Sequence, residues 1–486
     1  MGKLFGTDGI RGVAGEPPLE ERTIFAVGRA VGEFLQKGKS RSLDSPARSA
    51  SSEQGLSPGA GTGGVARDDS VVRVLLGEDT RESSAWVTSW LAGGLKAAGV
   101  EAVSAGVLPT PGVARLVATK GFAAGLVVSA SHNPYRDNGI KLIGADGMKL
   151  PDEVEEEIEE RIQELLGDKP HRRGAEGAEK DTERAARSPV ADVTLAEEYL
   201  KLLRQAAPDL KGMHLVVDCA NGAAVRTAPA LLRSLGAAVT AMHASPDGKN
   251  INEGCGALHP ESLRAKVTEI RADLGVAFDG DADRAMFVSS SGRVVDGDGV
   301  LLAAARWMKE KGTLRGGAVV GTVMANLGLE VALKRAGIGF VRAAVGDRYV
   351  LEGMQRRGAN LGGEQSGHII FLDDSPTGDG LLTALKVLSV LREKRVGLDE
   401  LVADLQVFPQ TLKNIRVREK VPLEQLPGVQ QAIREAESAL GEKGRVVVRY
   451  SGTEKLLRVM VEAETEADVA KWVESITAAV EESLGA

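Results

Sequence analysis

Short apolar runs, each followed by a longer stretch with helical spacing of apolar residues, recur along most of the chain. The runs that predict buried strands lie at 71–79, 100–106, 123–131, 213–222, 273–284, 317–323, 337–343 and 359–368. Stretches between them that predict helices include 86–98, 112–119, 225–235 and 260–271. Strands that are apolar throughout and alternate with helices are typical of parallel sheets covered on both faces. The pattern therefore predicts repeated α/β units.

The last part of the chain has a different pattern. Strand-like segments at 412–419, 445–452 and 456–464 accompany a helical stretch at 429–440 and a final helix from Glu466. This predicts a smaller α+β unit after a boundary near residues 407–410. The expected fold class is α/β, with three similar α/β domains of mixed, mostly parallel sheets and a smaller C-terminal α+β domain around a central cleft. The predicted domains are 1–190, 191–297, 298–407 and 408–486.

Two segments interrupt this pattern. Residues 38–70 are rich in Ser, Gly, Pro and Ala and contain no aromatic residue. Such a composition buries too little apolar surface to offset the entropy of ordering, so we expect a disordered insertion. The charged segment 167–189 is expected to be an exposed linker for the same reason.

Composition and charge narrow the class of protein. Hydrophobic residues make up 43% and charged residues 26% of the chain, as in globular proteins, and no apolar run approaches the roughly 20 residues that span a bilayer. A net charge of -8 disfavours a nucleic-acid or anionic-membrane partner. Cys219 and Cys255 are the only cysteines, which supports neither a disulfide scaffold nor a zinc site. We expect a cytoplasmic protein without nucleic-acid or membrane partners.

The segment VVSASHNPYRDNGIK, 127–141, carries the first chemical signal, because two serines and a histidine follow an apolar run directly. Ser131 is either an ordinary polar residue at a strand end or a serine presented for chemistry. His132 is a candidate base, a donor to phosphate, or a turn residue.

The segment FDGDADR, 278–284, carries the second signal. In extended backbone, side chains two residues apart point the same way, so Asp279, Asp281 and Asp283 are expected to converge. Converging carboxylates suit Mg²⁺, which prefers oxygen ligands and often shares a substrate phosphate. An EF-hand is excluded, because Arg284 and Ser290 replace its turn glycine and distal glutamate. The alternative is a solvated acidic turn.

Three further segments place polar groups at strand ends or in glycine-rich turns. In GGEQSGH, 362–368, alternating Glu364, Ser366 and His368 are able to face one ligand. RYSGTEKLLR, 449–458, combines a cation, hydroxyls and backbone N–H groups around a glycine, which suits a phosphate dianion. FGTDGIRG, at the N-terminus, places Arg11 in a glycine-rich turn. Each segment alone is consistent with an ordinary turn, which is the favoured interpretation of GGEQSGH by itself. For Asp79 and Arg81 in GEDTR, a structural ion pair is about as consistent with the sequence as a functional one. Together they indicate phosphoryl transfer on a sugar phosphate.

The chain resembles the α-D-phosphohexomutase superfamily. The motifs that carry this resemblance are SASHNP at 129–134, DGDADR at 279–284, GEQSGH at 363–368 and RYSGTE at 449–454. FGTDGIRG and Gln365 favour the subgroup that interconverts glucosamine 6-phosphate and glucosamine 1-phosphate. In RYSGTEK, Tyr450 and Lys455 stand where many relatives have proline, so phosphate affinity at this loop is open.

The resemblance implies a role for each motif. Ser131 would be a phosphoserine that donates its phosphate, and Asp279, Asp281, Asp283 and the Ser131 phosphate would bind one Mg²⁺ per chain. Arg284 would stabilise the transferring group, and Glu364 and Ser366 would hold sugar hydroxyls. The phosphate that does not react would be held by Arg449, Ser451, Gly452 and Thr453. Candidate acid/base or phosphate-contacting residues would be Lys141, the first choice for general base, with Arg11, His132 and His368.

The implied reaction passes through glucosamine 1,6-bisphosphate, with this or glucose 1,6-bisphosphate as intermediate or activator, and serves UDP-N-acetylglucosamine and cell-wall precursor synthesis. A homodimer with a small-molecule sugar phosphate as its ligand is implied. Three alternatives stay open: a mutase for glucose or mannose phosphates, a metal-dependent phosphatase with a serine nucleophile, and a non-catalytic sugar-phosphate sensor.

Overall fold

The computed structural model describes residues 4–6, 9–43, 71–167, 189–205, 207–451 and 455–484. The chain divides into two compact units. The first comprises Met1–Val294 and His368–Gly397, and the second comprises Val295–Gly367 and Leu398–Ala486. Within the described ranges, no helix combines the length and apolar character that spanning a membrane requires.

The first sheet of the first unit has the strand order β1-β5-β4-β2-β3. Strands β2, β3 and β4 are parallel, whereas β5 is antiparallel to both β4 and β1. Its elements are β1 (Ile10–Val13), α1 (Glu21–Leu43), β2 (Arg73–Glu78), α2 (Ser84–Ala97), β3 (Glu101–Val107), α3 (Thr110–Lys120), β4 (Ala124–Val128), β5 (Asp137–Gly144) and α4 (Asp152–Gly167).

The central strand β4 explains why this sheet forms. Its sequence AGLVV is buried at every position, as expected for a strand covered on both faces. Leu126 and Val128 belong to a core with Val27 and Leu91 from the covering helices α1 and α2. Burying a side chain of this size contributes roughly 1.5 to 3 kcal/mol. The strand therefore has a fixed end, and residues 129–134 leave the core there.

The second sheet of the first unit repeats this arrangement. Strands β6, β7 and β8 are parallel, and β9 is antiparallel to β8. The helix α5 (Thr194–Arg204) precedes this sheet. The elements that follow are β6 (His214–Asp218), α6 (Ala228–Ser234), β7 (Ala238–Met242), α7 (Glu261–Ile270), β8 (Leu274–Phe278), β9 (Ala285–Ser289) and β10 (Val294–Val295), where the first segment of the unit ends. Every residue of β8 is buried, so residues 279–284 also begin at a fixed strand end.

The first unit also contains β14 (Ile369–Phe371) and α11 (Gly380–Lys394). Asp379 caps α11, because its carboxylate accepts a hydrogen bond from the Leu382 amide. The same carboxylate accepts a 2.9 Å bond from the hydroxyl of Tyr199, a fully buried residue of α5. Burial raises the pKa of Asp379, and Arg115, 3.8 Å away, opposes that shift. A buried carboxylate thus joins segments that are far apart in sequence.

The second unit contains a parallel group and an antiparallel sheet. Strands β12, β11 and β13 lie side by side, all parallel, and the C-terminal sheet has the order β15-β17-β16. The elements are α8 (Gly297–Glu310), β11 (Ala318–Thr322), α9 (Leu327–Arg335), β12 (Gly339–Ala343), α10 (Asp347–Arg357), β13 (Leu361–Gly363), α12 (Leu398–Leu401), β15 (Gln410–Arg416), α13 (Pro427–Leu440), β16 (Gly444–Tyr450), β17 (Leu456–Ala463) and α14 (Glu466–Leu484).

A buried ion pair connects the two parts of the second unit. Glu462 of β17 is fully buried and accepts from the Leu327 amide at 2.9 Å and from Arg445 Nε at 2.5 Å. A carboxylate at the N-terminus of α9 satisfies an amide that the helix itself leaves unpaired. Arg445 also donates to the Val323 and Ala325 carbonyls, so no charge is buried alone.

The predicted fold class is confirmed, since parallel β-strands alternate with helices and an antiparallel C-terminal sheet follows. The antiparallel strands β5 and β9 account for the mixed character of the first two sheets. The predicted insertion 38–70 begins inside a helix, because α1 continues to Leu43. Residues 44–70 and 168–188, which contain the rest of the insertion and most of the predicted linker, lie outside the described residues.

Replacing Tyr199→Phe is expected to lower the free energy of unfolding by about 1 to 2 kcal/mol, because the buried Asp379 carboxylate loses a donor. The measurement is the urea midpoint followed by circular dichroism. Tyr349→Phe, at a residue with 42% exposure, serves as the matched control and should leave the midpoint unchanged. Equal midpoints for the two variants would contradict the role of this hydrogen bond.

Candidate active site

Ser131 lies three residues beyond β4 and faces a carboxylate. Its hydroxyl donates a 2.6 Å hydrogen bond to Asp279 Oδ2 and lies 3.2 Å from His132 Nδ1. The side chain is 2% exposed, and the backbone has φ 51°. A left-handed conformation is uncommon for serine and has to be enforced by its surroundings. Ser131 is therefore more than a polar strand end.

The three aspartates converge as predicted, but the predicted reason is wrong. Residues 279–284 form a tight turn between β8 and β9, in which Ala282 has φ 57°, and they are not extended. Carboxylate atoms of Asp279, Asp281 and Asp283 lie within 4.8 Å of one another. The aspartates therefore converge because the chain reverses direction, and alternation along a strand is not involved.

Glycines allow this turn to approach its neighbours. A Cβ on Gly280 would lie 2.4 Å from the Ser131 carbonyl oxygen, and a Cβ on Gly380 would lie 2.6 Å from the Arg284 carbonyl oxygen. Neither distance is compatible with a side chain. The backbone of the aspartate turn at Gly280 thus packs directly against the serine loop.

Lys141 and Thr110 bind the aspartates from the first sheet. Lys141 Nζ is 2.9 Å from Asp281 Oδ2 and 3.7 Å from Asp283 Oδ2, and Thr110 Oγ1 donates to Asp281 Oδ2 at 2.5 Å. Lys141 is among the residues predicted from the sequence, whereas Thr110 is not. Its only sequence signal is its position three residues after β3, between two prolines at the start of α3.

The surroundings shift the pKa values of Asp279 and Asp283 in opposite directions. Burial raises the pKa of Asp279 well above its usual range, and Asp283 and Asp281 add to this. Burial alone would also raise the pKa of Asp283, but His368 and Lys141 outweigh it and hold that pKa well below its usual range. The cluster thus requires positive charge beside it.

The donor set fits a divalent cation. Asp281 Oδ1 and Asp283 Oδ1 are buried and, among the described residues, have no hydrogen-bond partner. A magnesium ion with oxygen ligands at about 2.1 Å places those oxygens roughly 3 to 4 Å apart, which these carboxylates can reach. The aspartate cluster is therefore able to hold a metal ion.

Two more predicted residues border this cluster. His368 Nδ1 is 3.5 Å from Asp283 Oδ2, and its Nε2 accepts the Gly378 amide at 3.2 Å. A Cβ on Gly378 would lie within 2.6 Å of the His368 ring atoms, so the ring packs against a bare backbone. Arg284 Nε is 3.8 Å from Asp283 Oδ1, and the Arg284 amide donates to Asp279.

His132 and Arg11 lie on the serine side. Burial, followed by the cations Arg284 and Arg11, lowers the pKa of His132 to about 4, so its imidazole is neutral at pH 7. Arg11 Nη1 is 3.5 Å from the Ala130 carbonyl and from Asn133 Oδ1. A neutral ring beside two cations is suited to accept or donate a hydrogen bond, not to supply charge.

The remaining predicted residues belong to the second unit. Glu364 accepts from the Gly346 amide and from Ser366 Oγ, each at 3.1 Å. Arg449 pairs with Arg458 across β16 and β17, and burial followed by Arg458 lowers the pKa of Arg449. Ser451 is buried, and Gly452 and Thr453 lie outside the described residues.

Tyr450 replaces a proline expected at the phosphate loop, and its side chain has structural partners. The hydroxyl donates to the Val421 carbonyl at 2.6 Å, and the ring packs against the core of the C-terminal sheet. Lys455, the other departure, is exposed. The tyrosine therefore fixes the end of β16 by a different contact.

A second group of metal-ligating types, Asp218, His243 and Cys255, has local partners. The Asp218 oxygens accept the Ala220 and Gly256 amides at 2.9 and 3.0 Å, and His243 Nδ1 is 3.0 Å from Oδ2. Burial raises the pKa of Cys255 to about 12, so its thiolate is disfavoured. These contacts give the three residues a structural role at the end of β6.

Family models for phosphoglucomutase/phosphomannomutase match the chain in four places. α/β/α domains I, II and III match residues 56–167, 197–292 and 296–408, and the C-terminal domain matches 412–479. A phosphoglucosamine mutase of Koribacter versatilis is 50% identical over 488 residues, covering 99% of this chain and 97% of that protein. The chain belongs to the phosphoglucomutase/phosphomannomutase family.

Solved structures of other phosphohexomutases share this fold. A family protein of Burkholderia thailandensis has a TM-score of 0.73 at 23% identity, covering 99% of this chain and 97% of that chain. The N-acetylphosphoglucosamine mutase of Aspergillus fumigatus, in complex with GlcNAc-6P and magnesium, has a TM-score of 0.58 at 21% identity, covering 77% and 92%. The fold of this chain is thus shared with solved structures of phosphohexomutases.

Asp281→Asn is expected to weaken Mg²⁺ or Mn²⁺ binding by at least about tenfold, because a buried oxygen without a hydrogen-bond partner becomes a neutral amide. Isothermal titration calorimetry measures the affinity. The control is Asp209→Asn, at an exposed aspartate before β6. If both variants bind the cation as tightly as the unmodified chain, the aspartates are not the metal ligands.

Proposed function

We propose that this chain interconverts glucosamine 6-phosphate and glucosamine 1-phosphate. The observation that carries the proposal is the buried Ser131 hydroxyl, held 2.6 Å from Asp279 within a cluster of carboxylates. The choice of amino sugar is supported by the phosphoglucosamine mutase that is 50% identical to this chain over nearly the full length of both. The product would feed UDP-N-acetylglucosamine and cell-wall precursor synthesis, in the cytoplasm and in a homodimeric enzyme.

The reaction begins with a phosphate on Ser131. In the first half-reaction, the bond between phosphorus and Ser131 Oγ breaks, and a bond to the C1 oxygen of glucosamine 6-phosphate forms. The proton of that sugar hydroxyl passes by way of a base to Ser131 Oγ. In the second half-reaction, Ser131 Oγ attacks the 6-phosphate of the 1,6-bisphosphate, and the C6 oxygen takes up the proton. Ser131 is phosphorylated again, and glucosamine 1-phosphate leaves.

The aspartate cluster would hold one Mg²⁺ through Asp279, Asp281 and Asp283, together with the Ser131 phosphate. When bound, the cation would neutralise charge on the transferring phosphoryl group. Arg284, beside Asp283, would contribute a second positive charge. The buried position of the cluster strengthens these interactions, because little water screens them.

Lys141 is the proposed general base. It shares Asp281 and Asp283 with the proposed cation, so a positive charge on its amine is less favoured when the cation is present. A neutral amine is the form that a base requires. Arg11, His132 and His368 are assigned to phosphate contacts, since each lies beside the serine loop or the aspartate turn.

The substrate's other groups are assigned to the second unit. Glu364 and Ser366 would accept hydrogen bonds from sugar hydroxyls or the amine, and their mutual contact orients both side chains. Arg449, Ser451, Gly452 and Thr453 would hold the phosphate that is not reacting. Two half-reactions require this phosphate site to accept either end of the bisphosphate.

Kinetics on a panel of hexose phosphates tests the substrate. We expect kcat/KM for glucosamine phosphate to exceed that for glucose and mannose phosphates by at least about tenfold, which corresponds to roughly 1.4 kcal/mol in the transition state. Inorganic phosphate is measured in the same reactions. A preference for glucose or mannose phosphate would reassign the substrate, and stoichiometric phosphate release would indicate a phosphatase.

Ser131→Ala is expected to reduce turnover by about a thousandfold or more, because the group that carries the phosphate is lost. The fold should be kept, since the side chain becomes smaller at a site whose backbone contacts do not involve Oγ. Thermal unfolding and Mg²⁺ titration check this. An alanine variant that retains substantial mutase activity would refute the assignment of Ser131.

A further inference from the structure

The Arg81 side chain is completely buried directly beside the Ser131 loop, between β2 and α2. Nε donates to Asp79 Oδ2 at 2.8 Å. Nη1 donates to the Pro134 carbonyl and, at 3.0 Å, to the Asp137 carbonyl. Nη2 donates to the Ser131 and Asn133 carbonyls, each at 2.9 Å. A guanidinium has five N–H groups, and all five are used.

Asp79 connects the same guanidinium to the other side of Ser131. Its Oδ2 accepts the Ser129 hydroxyl at 2.7 Å, and Ser129 Oγ in turn accepts the Ser131 amide at 2.9 Å. Asp79 Oδ1 is bound by Ser84 Oγ at 2.8 Å. The amide and the carbonyl of Ser131 are therefore both tied to one buried ion pair.

Asn252, in the loop between β7 and α7, binds two of the same carbonyls. Its Nδ2 donates to the Ser131 and Asn133 carbonyls at 2.9 and 3.1 Å. The Ser131 carbonyl thus receives hydrogen bonds from two side chains that are distant in sequence. This double restraint holds the left-handed φ of 51° that serine rarely adopts.

We propose that Arg81 is a positioning residue for phosphoryl transfer: it fixes the Ser131 backbone so that Oγ faces the aspartate cluster. The inference rests on the proposed function of Ser131 as the phosphate carrier. All N–H groups of Arg81 are bound to the protein, so none remains for a substrate phosphate. Its effect is therefore on the rate of transfer and not on sugar binding.

Lysine is not equivalent to arginine at this position. An ammonium has three donors on one atom, whereas the four carbonyls and the Asp79 carboxylate need donors spread over a planar fork. Arg81→Lys keeps the charge that neutralises Asp79 but leaves carbonyls unbound. This substitution therefore separates geometry from charge.

The experiment compares Arg81→Lys and Asn252→Ala with the unmodified chain and with a control, Arg306→Lys. Arg306 also binds a carboxylate, Asp404, but on the surface of the second unit. Steady-state kinetics gives kcat and KM with glucosamine 6-phosphate. Rapid quenching gives the rate at which phosphorylated Ser131 passes its phosphate to the sugar. Circular dichroism and thermal unfolding report the fold.

For Arg81→Lys we expect kcat and the transfer rate to fall together by about a hundredfold, with KM within about threefold, because displacement of a reacting group by about 1 Å has an effect of this size. For Asn252→Ala we expect kcat and the transfer rate to fall less, by roughly tenfold, again with KM nearly unchanged. Arg306→Lys should be unchanged. If Arg81→Lys does not fold, Asn252→Ala decides the result alone.

Two results for a folded Arg81→Lys variant would overturn the inference: an unchanged rate of phosphoryl transfer, or an effect on KM alone. If Arg81→Lys does not fold, the same two results for a folded Asn252→Ala variant would overturn it. Failure of the proposed function can be distinguished from failure of this inference, because it is measured with the unmodified chain. That chain would then either lack mutase activity or turn over without phosphate on Ser131. If the unmodified chain is phosphorylated and active, only the inference about Arg81 is at stake.

Discussion

The burial of Asp279, Asp281 and Asp283 within 4.8 Å of one another is the constraint on which the rest of the site depends. Like charges at this distance in a poorly solvated environment repel strongly, so positive charge or protons must be supplied. Lys141, Arg284 and His368 supply part of it, while burial, Asp283 and Asp281 raise the pKa of Asp279. An ion with two positive charges is the simplest way to meet the remainder.

The serine loop is built around the same constraint. Ser131 adopts a backbone conformation that costs on the order of 1 kcal/mol or more, and a buried ion pair between Asp79 and Arg81 holds it there. The hydroxyl consequently lies beside the carboxylates, where a phosphate and a shared cation would neutralise each other. The strained Ser131 backbone and the unbalanced charge of the aspartates thus occur together at one site.

Much of this could be predicted from local sequence patterns. The apolar runs located most strands within a few residues, and polar residues that follow β4 and β8 identified Ser131 and the aspartates. The convergence of the aspartates was predicted for the wrong reason, because a left-handed Ala282 has no signal in the sequence. Helix α1 extends to Leu43, since a helix can continue through polar residues by its own hydrogen bonds.

What escaped prediction depends on contacts between distant segments. Arg81 binds backbone carbonyls about fifty residues away. Asn252 binds two of the same carbonyls from the loop before α7, and Thr110, at the start of α3, binds Asp281. Backbone carbonyls carry no side-chain identity, so no motif indicates them as partners. The sequence GEDTR is as consistent with a structural ion pair as with a functional one. The hydrogen bonds of Arg81 give the ion pair a structural role at the proposed phosphoserine.

The most direct test of the central claim is to locate the phosphate. The enzyme is incubated with glucosamine 1,6-bisphosphate and Mg²⁺, digested, and its peptides are sequenced by tandem mass spectrometry. We expect a phosphate ester on Ser131, within the peptide that contains residues 127–141, and we expect it to disappear when glucosamine 6-phosphate is added before digestion. A phosphate on Ser129 or elsewhere, or an active enzyme that never carries phosphate, would contradict it.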